Sequence, residues 1–182
     1  MLGVKIRKLS EKDILPAITL YAHSCRYLEY FQKMFGVTDC EQNIIESFTP
    51  DVIAAIRTGL CIGAFKNNEL IGVIFSVDWH RYFTEEFALF EHMFNSELPE
   101  TKDMIEHLNQ FESAYFIFAI GVADGFRCQG IATSMLKHFL VIRPKKCSIA
   151  TDCIYEYAQS LWLSNKFTFV QLPSVRLAVR CD

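Results

Sequence analysis

The sequence predicts an α/β fold, in which helices pack on a mixed sheet. Segments with helical apolar spacing alternate with strands along the chain. The segments LCIGAF and LIGVIFSVDW flank the turn KNNE and predict a β-hairpin. The apolar run AYFIFAIGV is too short to cross a membrane and is typical of a buried strand. This run leads into another helical pattern, which favours a layered sandwich.

Length and composition favour one domain with a sizeable core. The chain has 182 residues, 51% of them hydrophobic, and we expect a single domain over residues 1–182 with a helical, aromatic-rich insertion at about residues 80–112. The net charge of −3 argues against a nucleic-acid partner. We find no signal-peptide pattern and no apolar run of the ~18 residues that span a membrane. The seven cysteines lack metal-like spacing, which predicts reduced thiols in a cytoplasmic protein.

The first half of the chain gives three predicted helices and three strands. Residues 4–9 alternate as a strand, and a capping-box pattern at residues 10–13 predicts a helix that runs to about Ser24. A second helical piece is predicted at RYLEYFQKMF. The third helix is predicted to start with Pro50 in its first position and to end at Gly59. The hairpin supplies the second and third strands.

The second half gives four strands around two helices. Residues 114–122 form the predicted fourth strand, and the segment CSIAT forms the fifth. The helix after the fifth strand is predicted to end at Asn165, a residue that tolerates a left-handed C-cap. Residues 167–170 and 175–179 form a predicted final pair of strands.

The most informative stretch is IGVADGFRCQGIATSML, residues 120–136. A buried strand ends at Val122, a short turn follows, and Arg-x-x-Gly-x-Ala opens a helix. Free N–H groups at a helix start, together with the helix dipole, favour an anion. Gly130 and Ala132 allow close approach to the backbone, and Arg127 supplies a cation. The stretch predicts a pyrophosphate cradle, although neither the Rossmann nor the Walker pattern is present.

A second block lies downstream and consists of Ala158, the pair Leu161-Trp162, and Phe167. Together, in this order and at this separation, the two blocks resemble the GNAT superfamily of acyl-CoA-dependent N-acyltransferases. The resemblance in element order covers most of the chain. It implies a three-layer sandwich around a mixed, mostly antiparallel sheet with a V-shaped splay at strand four.

The resemblance also implies a reaction. An N-acetyltransferase of this kind moves the acetyl group of acetyl-CoA to a primary amine of a small molecule or peptide by direct attack in a ternary complex. The backbone N–H of Val122 would polarise the thioester carbonyl as an oxyanion-hole donor, and no metal is needed. We expect a monomer or homodimer with no membrane partner. The implied cofactor-binding residues are Val122, Arg127, Cys128, Gln129, Gly130, Ile131, Ala132, Thr133, Ala158 and Trp162.

The acid and base are less clearly marked. Trp162 stands where the family often has a Tyr that protonates the leaving thiolate, and an indole N–H cannot act as a general acid at neutral pH. Tyr155 is the candidate acid, or else it packs or caps. Asp152 is the candidate base, or else it caps the next helix, and a water could also relay the proton. These departures keep open an alternative function, an acyl-CoA-binding sensor or regulatory module with little or no transferase activity.

The insertion at residues 80–112 has three possible roles. It could form a lid in which Glu85, Glu86 or Glu91 attracts a cationic amine. It could instead complete the core as an amphipathic helix, or it could form a dimer surface. His80 and His92 flank its aromatic part as structural or catalytic residues.

Overall fold

The computed structural model describes residues 3–80, 98–152 and 158–181. Within them, one seven-stranded sheet has the order β1-β2-β3-β4-β5-β7-β6, and only β4 and β5 pair in parallel. This confirms the predicted mixed, mostly antiparallel sheet. The strands are β1 (Val4–Lys8), β2 (Ile62–Lys66), β3 (Glu69–Asp78), β4 (Ala114–Val122), β5 (Ser148–Asp152), β6 (Thr168–Gln171) and β7 (Arg176–Arg180).

The described helices lie on both faces of the sheet. They are α1 (Ile14–Cys25), α2 (Glu29–Phe35), α3 (Glu41–Thr58), α4 (Pro99–Leu108), α5 (Ile131–Ile142) and α6 (Gln159–Ser164). One buried cluster, which includes Tyr21 and Phe75, lies on the side of α1 to α3. The other cluster includes Leu136, Phe139 and Trp162, and it lies on the side of α5 and α6. The chain is therefore a three-layer sandwich.

The predicted capping box joins β1 to α1. The backbone N–H and the hydroxyl of Ser10 donate to Asp13 Oδ2 at 2.9 and 2.7 Å. Arg7 donates to both oxygens of the same carboxylate at 2.8 Å. These hydrogen bonds, those from Arg7 above all, hold the pKa of Asp13 well below its usual range. The first strand and the first helix are thus fixed to each other by a short sequence pattern.

The predicted start of the third helix at Pro50 is wrong. Helix α3 begins at Glu41, and Pro50 lies inside it. Buried Ile44 and Phe48 continue the apolar face upstream, so tertiary packing outweighs the backbone donor that proline removes. The Thr49 hydroxyl donates to a carbonyl one turn earlier.

The predicted end of α3 and the predicted hairpin are both confirmed. The N–H of Gly59 donates to the Ala55 carbonyl at 2.8 Å, one residue after the helix ends. Asn67 and Asn68 form the hairpin turn with φ of 52° and 65°. Paired positive φ values give a turn whose twist matches that of the flanking strands, which is why asparagine suits both positions.

The predicted left-handed C-cap at Asn165 is wrong by one residue. Asn165 has φ of −106°, whereas the left-handed residue is Lys166, with φ of 64°. The Asn165 side-chain amide instead donates to the Leu161 carbonyl at 2.8 Å. Asn165 therefore caps the helix with its side chain, and Lys166 adopts the strained left-handed conformation.

Part of the predicted insertion is described. Residues 81–97, and with them Glu85, Glu86, Glu91 and His92, lie outside the described residues. The following residues form helix α4, as the helical pattern predicts. His80 Nε2 lies 2.7 Å from the carbonyl oxygen of Phe111. Among the helices described here, none is both long enough and apolar enough to cross a membrane.

Candidate functional site

Strands β4 and β5 separate soon after they meet. They pair from Ala114↔Ser148 to Phe116↔Ala150. Beyond that point β4 stays paired with β3, and β5 stays paired with β7. We call the opening between residues 117–122 of β4 and residues 151–152 of β5 the β4–β5 gap. It confirms the predicted splay at strand four.

A β-bulge explains where the gap begins. The register between β3 and β4 passes from Phe75↔Ala119 to Ser76↔Ile117, which leaves Phe118 as an extra residue in β4. Such an insertion bends its strand and increases the local twist. The Phe118 ring stacks on Phe75 with ring centroids 5.8 Å apart, so packing holds the bulge in place. The bend follows directly after the last pair with β5.

The backbone of Val122 points toward the gap. The N–H of Ala123 donates to the Ile71 carbonyl at 3.0 Å, which directs the backbone groups of that residue toward β3. Successive residues of an antiparallel strand alternate in this respect. Val122 and Ile120 therefore direct their N–H and C=O groups to the side from which β5 has separated. This orientation is the one that the predicted oxyanion donor requires.

The start of α5 presents its backbone to the same edge of the sheet. Its first helical hydrogen bond runs from the N–H of Ser134 to the Gly130 carbonyl at 3.0 Å, so the N–H groups of residues 131–133 precede the ladder. Gly130 has φ of 76°, and an added Cβ would meet nothing within 4 Å. Cys128 also has positive φ, 58°, and is exposed. The turn thus offers bare, outward-facing backbone for an anionic ligand.

Arg127 contacts the protein around this turn. Its Nε donates to the Val122 carbonyl at 3.2 Å, and its Nη2 donates to the Ser24 carbonyl at 2.8 Å. The same Nη2 lies 2.9 Å from Asp124 Oδ1. The side chain of Gln129 also donates to a carbonyl within the turn at 2.9 Å. Both long side chains of the motif therefore brace the turn.

Asp152 lies at the opposite side of the gap. It is the last residue of β5, two positions beyond the last pair with β4, and it is half-buried. Burial raises the pKa of its carboxyl to about 6. By strand alternation Asp152 shares a face with Ala150, which belongs to the core on the side of α1 to α3.

Two further residues on that face were missed by the sequence analysis. Burial raises the pKa of the Tyr30 phenol, and the negative charges of Asp152 and Glu100 raise it further. Tyr30 on α2 therefore lies within electrostatic reach of both Asp152 and Glu100, the latter on α4. These three residues are far apart in the sequence, and no local motif connects them. The only signal in the sequence was an aromatic residue, Tyr30, in a predicted helical segment.

The second sequence block lies largely in the core. Trp162 is 4% exposed, and its ring centroid lies 5.1 Å from that of Phe167. Ala158 is half-buried at the N-cap of α6. Tyr155 lies outside the described residues. The predicted contacts of Ala158 and Trp162 with the cofactor, and the predicted acid role of Tyr155, stay predictions.

Comparisons with known proteins rest on structure. No family model matches the sequence, and no curated protein matches it significantly. The arylalkylamine N-acetyltransferase 2 of Aedes aegypti aligns with a TM-score of 0.66 and 15% identity, over 99% of this chain and 98% of that chain. The polyamine N-acetyltransferase of Drosophila melanogaster, which forms N-acetylagmatine, aligns with a TM-score of 0.70 and 12% identity, over 98% and 100%.

A third structure carries a ligand. The PaiA N-acetyltransferase of Thermoplasma acidophilum, in complex with coenzyme A, aligns with a TM-score of 0.63 and 14% identity, over 100% of both chains. At 12–15% sequence identity, these structural similarities establish the fold of this chain and nothing more. The mixed sheet and its splay at β4 are those that the resemblance implied, and the chain has the fold of the GNAT N-acetyltransferases.

Proposed function

We propose that this protein is an N-acetyltransferase that transfers the acetyl group of acetyl-CoA to the primary amine of a small molecule. The observation that carries the proposal is the β4–β5 gap, which opens at the edge of the sheet where the bare turn leads into α5. The names of the structural neighbours support the acceptor class, because they refer to polyamines, agmatine and arylalkylamines. One neighbour also holds coenzyme A.

The cofactor side of the proposed site works through backbone groups. Bound acetyl-CoA would supply an activated thioester carbonyl. The N–H groups of residues 128–133 would hold the pyrophosphate at the start of α5. The N–H of Val122, which faces the gap, would donate to the thioester oxygen as negative charge develops there. Removal of one such donor from an enzyme typically lowers kcat about 10²–10³-fold.

The acceptor side of the proposed site works through side chains. An alkyl amine is mostly protonated at pH 7, so it needs both an anion to attract it and a base to take its proton. The Asp152 carboxylate suits both tasks because its pKa is about 6, close to neutral. Tyr30, within electrostatic reach of Asp152 and Glu100, would add an aromatic surface, and Glu100 would add negative charge. Glu85, Glu86 and Glu91 remain proposed acceptor residues of the insertion.

Tyr155 remains the proposed donor to the leaving thiolate, since Trp162 is buried and its indole is not acidic at neutral pH. A Tyr155→Phe variant tests this assignment. We expect kcat to fall while the affinity for acetyl-CoA stays unchanged. An unchanged kcat would exclude the role.

A turnover screen tests the proposed function. The purified protein is incubated with acetyl-CoA and separate amines: agmatine, spermidine, an arylalkylamine and a lysine-containing peptide. Product is detected by mass spectrometry, because the seven cysteines of the chain would disturb assays that detect free thiol. Acetylation of at least one small amine is the expected result. Preference for the peptide would overturn the small-molecule assignment.

Binding is measured in parallel by thermal unfolding with acetyl-CoA, CoA and ATP. A ligand at 100 times its Kd adds about 2.7 kcal/mol to the free energy of unfolding. A shift specific to CoA species with no product on any amine would favour the alternative sensor function, which is also supported by Trp162 in the place of the family's Tyr. The absence of any shift at millimolar ligand would reject both functions.

A further inference from the structure

The Arg127 side chain lies between the end of β4 and the end of α1. Its guanidinium group reaches three acceptors: the Val122 carbonyl, the Ser24 carbonyl and the Asp124 carboxylate, at 3.2, 2.8 and 2.9 Å. Ser24 belongs to the last turn of α1, and the other two belong to β4 and to the turn after it. One side chain therefore joins two elements that are about 100 positions apart in the sequence.

The same two elements touch elsewhere. A Cβ added at Gly121 would lie 2.9 Å from Ser24 Oγ, so α1 packs directly on the backbone of β4. Arg26, just after α1, places its Nη2 3.5 Å from Asp124 Oδ2. Asp124 thus lies between two arginines. The contact between α1 and the turn is built from several interactions, and Arg127 makes three of them.

This arrangement changes the role expected for Arg127. A guanidinium group donates in a fixed planar fork, and here the fork is directed at protein acceptors. The adjacent Asp124 carboxylate offsets its charge, which weakens the attraction of the group for a phosphate. The contact of Arg127 nearest to the proposed chemistry is its hydrogen bond to the Val122 carbonyl, because the N–H of Val122 faces the β4–β5 gap. That carbonyl shares its peptide plane with the Ala123 N–H, which donates to Ile71, so both groups of the plane are held. The plane that carries the Val122 N–H is next to it and is restrained through the φ and ψ angles of Val122.

We infer that Arg127 is a positioning residue that orients the backbone of Val122 toward the thioester and does not bind the pyrophosphate. The inference rests on the proposed function. It replaces the role of phosphate-side cation expected from the sequence. Loss of Arg127 should therefore slow the chemical step and leave the affinity for CoA unchanged.

Two acetyl donors distinguish a positioning role of Arg127 from a role in pyrophosphate binding. Acetyl-CoA carries the pyrophosphate, whereas S-acetylpantetheine carries the same thioester without it. Arg127→Met removes the fork and the charge, and Arg127→Lys keeps the charge but cannot reach the three acceptors together. Lys137→Met, at an exposed position of α5, controls for the loss of one positive charge.

We expect Arg127→Met and Arg127→Lys to lower kcat about tenfold to a hundredfold with both donors, because small misplacements in an active site have effects of this size. The Kd for CoA should change less than threefold, and Lys137→Met should match the wild type. Loss with acetyl-CoA but not with S-acetylpantetheine would overturn the inference. Rescue by Arg127→Lys would overturn it as well.

The test also separates this inference from the proposed function. If the wild type acetylates no amine, the proposed function fails, and the binding measurement still decides the role of Arg127. A more than tenfold weaker Kd for CoA in Arg127→Met would show that the side chain binds the cofactor, contrary to the inference. Unchanged affinity with faster hydrogen exchange at the Ala123 amide, which shares its peptide plane with the Val122 carbonyl and donates to Ile71, would support it.

Discussion

The two sides of the β4–β5 gap are built in different ways. The proposed cofactor side consists of contiguous residues, 120–133, and its groups are mostly backbone N–H donors of a strand end, a turn and a helix start. The proposed acceptor side is centred on Tyr30 of α2, which lies within electrostatic reach of Asp152 on β5 and of Glu100 on α4. A site made of backbone groups can therefore be predicted from a short motif, whereas a site made of distant side chains requires knowledge of the fold.

The largest effect is expected at the acceptor side. Asp152→Asn keeps the shape of the side chain but removes the base and the negative charge. We expect kcat/KM to fall at least about 10²-fold, the range typical for loss of a general base, with unchanged affinity for acetyl-CoA. Steady-state kinetics and calorimetry check this, with Glu106→Gln on the exposed face of α4 as the control. A loss below threefold would leave the acceptor side without its base.

Two matched glycine-to-valine substitutions test the proposed cofactor side. Gly130 has φ of 76°, whereas Gly125 in the same turn has no such requirement, and a Cβ at either position meets nothing within 4 Å. Because a side chain in this conformation is strained by about 1–2 kcal/mol, we expect Gly130→Val to weaken acetyl-CoA binding about tenfold. Gly125→Val should bind like the wild type. Equal affinities for both variants would show that the turn is not the cradle.

The pH dependence of the wild-type activity tests whether Asp152 acts as the base on the proposed acceptor side. Burial raises the pKa of Asp152 to about 6, so below that pH its carboxyl is protonated and cannot accept a proton. We therefore expect kcat/KM to fall about tenfold per pH unit below pH 6 and to level off above it. The residual activity of Asp152→Asn should lack this acidic limb. Its persistence in the variant would assign the limb to another group.

The smallest effect is expected for a substitution at the end of α6, outside both proposed sides of the β4–β5 gap. Lys166 is exposed and adopts φ of 64° at the end of α6, where glycine is the favoured residue. Lys166→Gly should raise the free energy of unfolding by about 1 kcal/mol or less, since relief of strain is partly offset by the entropy of glycine. Lys166→Ala keeps the strain and is the control in denaturant unfolding. Equal stabilities would mean that this site carries no strain.

Local patterns were reliable where a single element decides the conformation. The hairpin at Asn67 and Asn68 and the capping box at Ser10 follow from backbone preferences of a few residues, and both are confirmed. The prediction failed at Pro50, because the packing of Ile44 and Phe48 extends α3 through the proline. It failed at Asn165 because a side-chain hydrogen bond competes with the left-handed conformation.

The fold class, the strand that ends at Val122 and the turn into α5 could be predicted from the sequence. These depend on periodicity and on residues that are neighbours in the chain. The tertiary structure was needed to find the bulge at Phe118, the hydrogen bonds from Arg127 to Val122 and Ser24, and the electrostatic interaction of Tyr30 with Asp152 and Glu100. The reason is physical: burial, charge and hydrogen-bond geometry depend on which surfaces meet, and in this chain the surfaces that meet come from segments far apart in the sequence.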